Sequence, residues 1–111
     1  MYRLKLNNMK LTRFEHLEAL VLQWADEKGI LKNGTKAGQA LKTMEEASEI
    51  VLAIAKEDKE EIIDGIGDTL VTLIIQAEMN NVDILDCLET AYTEIAGRQG
   101  KMINGQFVKD E

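Results

Sequence analysis

Four stretches of the chain repeat apolar residues at the three- and four-residue spacing of an amphipathic helix. The first opens on Thr12-Arg13-Phe14-Glu15, a capping box in which hydroxyl and carboxylate satisfy the free backbone donors of a helix start. That helix is predicted to reach about Lys28, to bury Phe14, Leu17, Leu20 or Val21, and Trp24, and to stop at Gly29. A loop follows from Gly29 to Gly34. Thr35 caps a second helix running to about Lys56, with apolar positions at Ala37, Leu41, Met44, Ala47, Val51, Ile54 and Ala55. After a tight charged turn, Asp58 and Glu61 begin a third helix, roughly Lys59 to Asn80. Beyond Asp68 it is apolar on nearly all sides, which makes it the central and most buried helix. Asp83 and Asp86 start a fourth helix that ends near Gly97 to Gly100.

Asn104-Gly105, set between short apolar pairs, is the strongest hairpin signal in the chain and predicts a small β-hairpin over residues 101–109. Residues 1–11 show no clear period and are expected to form a loosely held arm. There is no internal repeat, low-complexity tract or linker. At 111 residues the chain suits one domain: an all-α, four-helix antiparallel bundle with a small C-terminal β-hairpin.

Composition narrows the function classes. Proline is absent and aromatics are few, so the core must come from Leu, Ile, Val, Ala and Met. The net charge of −7 argues against a protein that binds duplex nucleic acid, yet a metal can invert the local field for a small phosphorylated ligand. The lone Cys87 forbids an internal disulfide, fits a reducing cytoplasm, and is expected to be buried as a small hydrophobe in the fourth helix. No signal peptide is visible, and the longest apolar stretch, Leu70 to Ala77, is too short to span a membrane.

The chemistry-bearing residues are two acidic clusters. Glu45, Glu46 and Glu49 fall within a wedge of roughly 100° on the second helix, and Glu61, Asp64 and Asp68 within roughly 60° on the third. The short turn makes these helices antiparallel, which can bring both wedges to one groove. Between Ile62 and Ile75, Asp64 and Asp68 carry the only formal charges, with Gly65 and Gly67 beside them. Carboxylates in an apolar run need compensation, and two mid-helix glycines suggest a close approach of backbone or ligand. An oxygen-only ligand set points to Mg²⁺, with Mn²⁺ as a substitute. The plain alternative is a solvated acidic helix face.

Glu45-Glu46-x-x-Glu49 followed by Ile66-Gly67-Asp68-Thr69-Leu70-Val71 resembles the MazG-like branch of the all-α nucleoside triphosphate pyrophosphohydrolases. The likeness extends from Trp24 to Ile30 through Lys42, then from Tyr92 to Lys101, and on to Gly105, Phe107, Val108 and Lys109. It implies Mg²⁺-dependent cleavage of nucleoside triphosphates between the α and β phosphates, giving monophosphate and pyrophosphate, by a homodimer or tetramer. Carried over by position, Glu46, Glu49 and Asp68 look like metal ligands, and Glu45 like a second-metal ligand or the group that orients water. One departure stands out. The family's usual glutamate three residues before Asp68 is here Gly65, while Asp64, one position earlier, shares the face of Asp68 and can substitute. Glu61-x-x-Asp64 spells the family's acidic pair in a shifted register.

Lys42, Arg98, Lys101 and Lys109 are candidates to grip phosphate, each with the alternative of a solvated surface charge. Trp24 can stack on a base or anchor the core or a subunit interface. His16 reads as a surface residue. Four helices of this length can scarcely cover the apolar third helix, which favours self-association, with a dimer preferred. Two other function classes fit the same residues: a non-catalytic acidic helical interaction module, and a sensor that binds metal or nucleotide without turnover.

Overall fold

The computed structural model describes residues 10–111, so most of the expected arm at residues 1–11 lies outside the described residues. The described residues form α1 (Arg13–Glu27), α2 (Ile30–Asn33), α3 (Lys36–Ala55), α4 (Lys59–Met79) and α5 (Ile84–Ile95), followed by β1 (Gly100–Ile103) and β2 (Gln106–Lys109). The fold is all-α with a C-terminal hairpin, as the periodicity predicts. Helix α2 is the addition: a one-turn helix occupies the expected loop.

The helix starts follow from their caps. Thr12 Oγ1 accepts from the Glu15 amide at 3.2 Å, and the Glu15 carboxylate accepts from the Thr12 amide at 3.2 Å. Thr35 accepts from the Gly38 amide, Asp58 from that of Glu61, and Asp83 from those of Leu85 and Asp86. Gly29 ends α1 with a left-handed φ of 77°. At the end of α3 that role falls to Glu57, with φ 55°, while the Asp58 amide donates to the Ala53 carbonyl. A side chain strains this conformation and glycine does not. Glu57→Gly is therefore expected to stabilise the protein by about 0.5–1 kcal/mol, read as a raised midpoint in thermal or urea unfolding.

Helices α3 and α4 make the most extensive helix pair, and the pairings 43–72 and 50–65 make it antiparallel. Its seam is partly polar. Gln39 Nε2 donates to the Thr72 carbonyl at 3.1 Å, and the Thr43 hydroxyl donates to that of Thr72 at 2.9 Å, which in turn donates to the Thr69 carbonyl. Farther along, Gly65 lies against Ile50 so closely that a Cβ would sit 3.0 Å from Ile50 Cγ1. The stripe through Gln39, Thr43, Glu46, Ile50 and Ala53 faces α4, so the apolar positions expected there, Leu41, Met44, Val51 and Ile54, are exposed. Periodicity treats Gln39 and Thr43 as polar, whereas partnered hydrogen bonds let them serve as core.

Helix α1 packs on α4 and α2 through Ala19, Leu22 and Ala25. The expected face at Leu17, Leu20 and Trp24 is instead nearly half exposed. Helix α5 buries none of its residues, so Cys87 is exposed rather than buried. The hairpin pairs Gly100 with Lys109 and Ile103 with Gln106, and turns through Asn104 (φ 50°) and Gly105 (φ 81°), the signature of a tight primed turn.

Helix α4 is central but not fully covered: Ile63, Ile66, Leu70 and Leu73 form an exposed stripe along it. The chain's radius of gyration is 16.4 Å, against about 13 Å expected for a compact chain of this length. Among the described residues no helix is long and apolar enough to cross a membrane.

Candidate active site

The C-terminal half of α3 and the N-terminal half of α4 enclose a groove of about 390 Å³. Glu49 and Leu52 line it from α3, Lys56 from the cap that ends α3, and Glu61, Asp64, Gly65 and Asp68 from α4. The spacing i, i+3, i+7 on both helices puts each trio on one stripe, and the antiparallel turn sets the stripes face to face. Glu46 lies one turn before Glu49, its side chain only 13% exposed, with Lys42 Nζ 3.4 Å from its Oε1. The same ammonium is 3.5 Å from Glu45 Oε2, on a more exposed carboxylate. Glu45 first, then Glu46, hold the Lys42 ammonium above its usual pKa.

Glu49 senses the other carboxylates, chiefly those on its own helix. Repulsion from Glu46 is the main cause that raises the Glu49 carboxyl above its usual pKa, followed by desolvation. A hydrogen bond with Glu46 and smaller repulsions from Glu45 and Asp68 act in the same direction. A carboxyl whose pKa is higher folded than unfolded loses stability as pH rises through that pKa. At neutral pH, Glu49→Gln is therefore expected to raise the melting temperature in chelator. That gain should fade as acid protonates the native Glu49, and added Mg²⁺ should stabilise the variant less than the wild type. Melts in EDTA at pH 4 and pH 7, with and without Mg²⁺, check all three.

Among the described residues no three acidic, histidine or cysteine side chains converge into a ready-made metal cage. The donor set nonetheless suits Mg²⁺, which keeps several waters and binds through one or two carboxylates plus substrate phosphates. Gly65 bears on which residues serve. It is buried against Ile50, so a longer side chain there would first have to displace Ile50. Asp64 is on the groove wall beside it, together with Asp68. Gly67, by contrast, has open space around its missing Cβ.

A second cavity, about 370 Å³, adjoins the first at Asp68 and is otherwise apolar: Leu17, Leu20, Val21, Trp24 and Val71. Trp24 is thus brought beside an acidic candidate through the α1 face that the core leaves exposed. Arg98 and Lys109 meet elsewhere, in a pocket with Glu94, Gln99 and Asp110 at the foot of the hairpin. Lys101 is exposed on β1 opposite Val108. None of these three cations lines the acidic groove. Lys56 does, although it is not among the cations expected to grip phosphate. Its signal in the sequence is the spacing of seven residues from Glu49, which places both on one helix face.

The sequence matches the MazG nucleotide pyrophosphohydrolase domain over residues 35–103, a span that holds both acidic clusters. It is also 36% identical over 61 residues to an uncharacterized 18.2 kDa protein in the rep-hol intergenic region of Haemophilus phage HP1 (strain HP1c1). The aligned segment is 55% of this chain and 37% of the phage protein, so the chain spans little more than a third of that relative. No solved structure matches the chain.

Proposed function

The chain belongs to the MazG nucleotide pyrophosphohydrolase family, and from that premise we propose that it hydrolyses nucleoside triphosphates to monophosphate and pyrophosphate with Mg²⁺ as cofactor. Mn²⁺ would substitute. The observation that supports this most is the alignment of Glu49, Glu61, Asp64 and Asp68 along one groove, with Glu46 and Glu45 a turn away.

In this reading Glu46, Glu49, Asp64 and Asp68 hold the cation, and Glu61 extends the ligand set toward the turn. The bound ion would neutralise triphosphate charge and activate the attacking water. Glu45, the exposed member of its cluster, accepts or orients the water's proton. Lys42, tied to Glu45 and Glu46, balances their charge and stands ready to contact phosphate. The apolar pocket at Trp24 receives the base, which stacks on the indole. Arg98, Lys101 and Lys109 lie away from the groove of their own chain, so any role in phosphate binding would be exerted on a partner's substrate. Two copies joined through the exposed stripe of α4 would form the working homodimer.

The test is incubation with a panel of ribo- and deoxyribonucleoside triphosphates plus Mg²⁺, with monophosphate, pyrophosphate and phosphate resolved. Monophosphate and pyrophosphate in equal amounts are the expected products. Release of single phosphate, or no product at micromolar protein, overturns the reading.

A further inference from the structure

We propose that Lys56 is a substrate-binding residue that grips the terminal phosphates, fixing the direction in which a nucleoside triphosphate lies along the groove. This rests on the triphosphate pyrophosphohydrolase reading and adds to it a residue and a polarity.

Two observations carry it. Lys56 lines the groove at its far end, where Nζ is 3.5 Å from Glu61 Oε2, and both side chains are more than half exposed. An exposed pair of this kind is weak and exchanges readily for a better anionic partner. Asp68, at the opposite end, is shared with the apolar pocket at Trp24. The order along α4 is therefore Lys56 and Glu61, then Asp64, then Asp68, then the apolar pocket. From Glu61 to Asp68 is seven residues, or about 10 Å of helix, room for an extended triphosphate.

Electrostatics sets the direction. A polyanion entering an acidic groove is repelled wherever no cation faces it. Lys42 does not line the groove, so among the described residues the cation at the end away from the base pocket is Lys56. Lysine binds phosphate as a flexible point charge, which suits the terminal groups of a chain that varies in position. The base then lies in the apolar pocket, the α phosphate near Asp68, and the phosphates that leave as pyrophosphate at Lys56.

The two products separate the two ends. Calorimetry with the full chain and Mg²⁺ gives the affinities of inorganic pyrophosphate and of a nucleoside monophosphate without any turnover. Lys56→Gln is expected to weaken pyrophosphate at least tenfold and to leave the monophosphate within twofold. Lys56→Arg should retain most of the pyrophosphate affinity, and Trp24→Ala should weaken the monophosphate alone. Unchanged pyrophosphate affinity in Lys56→Gln overturns the proposal, as does loss of the monophosphate instead, or wild-type protein that binds no pyrophosphate. A role confined to clamping the turn would lower the melting temperature without moving either affinity. Failure of the catalytic reading is seen separately, in wild-type protein that binds both products but hydrolyses no triphosphate.

Discussion

Asp68→Ala is expected to lower triphosphate turnover by at least about 100-fold while the helices remain intact. Asp68 is exposed and its side chain caps no helix, so its loss removes charge rather than packing. It is also the residue common to the acidic groove and the apolar pocket, where the reacting phosphate would lie between cation and base. The accompanying variant is Asp64→Ala. If Asp64 fills the position vacated at Gly65, its removal should approach the Asp68 effect and raise the Mg²⁺ concentration needed for half activity. If Glu61 carries that role instead, Asp64→Ala should remain active and Glu61→Ala should not. Steady-state kcat/KM across a Mg²⁺ titration, with circular dichroism as the control for folding, decides between them. Full turnover in Asp68→Ala would refute the site even if the enzyme reading survived.

The double replacement Ile66→Glu/Leu70→Glu is expected to convert a wild-type dimer into a monomer at micromolar concentration. In an isolated chain, surface substitutions at positions 56% and 41% exposed should change stability by no more than about 0.5 kcal/mol. Within an interface the same glutamates would bury unpaired charge, which costs several kcal/mol for each copy. Ile63, Ile66, Leu70 and Leu73 stand on one stripe of the most apolar helix, and Gly67 among them has open space where a partner backbone could approach. An aliphatic stripe of this kind ordinarily marks an interaction surface. Sedimentation velocity of wild type and variant reads the change directly. A monomeric wild type at tens of micromolar would end the self-association reading.

Much of the fold was legible because its signals are local. Thr12, Thr35, Asp58 and Asp83 cap helices in sequence and in structure alike, since a cap needs only the next two or three amides. Asn104-Gly105 turns the hairpin because both residues tolerate positive φ. The carboxylate wedges follow from helical spacing alone, and the short turn at 56–58 sets Glu49 of the first in one groove with Glu61, Asp64 and Asp68 of the second.

The faces were less legible. On α1 the pattern admitted a stripe through Leu17 and Trp24, yet the buried face is the one that carries Ala19, Leu22 and Ala25. On α3 the polar Gln39 and Thr43 form the seam, because their partners are the hydroxyl and carbonyl of Thr72, about thirty positions away. No window of sequence contains that pairing. Cys87 is expected in the core as a small hydrophobe, but among the described residues nothing covers α5 closely enough to bury any of its side chains.

The sequence by itself determined the four longer helices, their starts, the hairpin and the acidic residues, since each depends on neighbours within a turn or two. Only the tertiary structure decided which stripe of each helix faces inward. It also decided that Gly65 nests against Ile50 while Asp64 reaches the groove, and that Lys56 closes one end of it and Trp24 adjoins the other. Those outcomes depend on volumes and hydrogen bonds matched between segments far apart in the chain, a complementarity that periodicity does not encode.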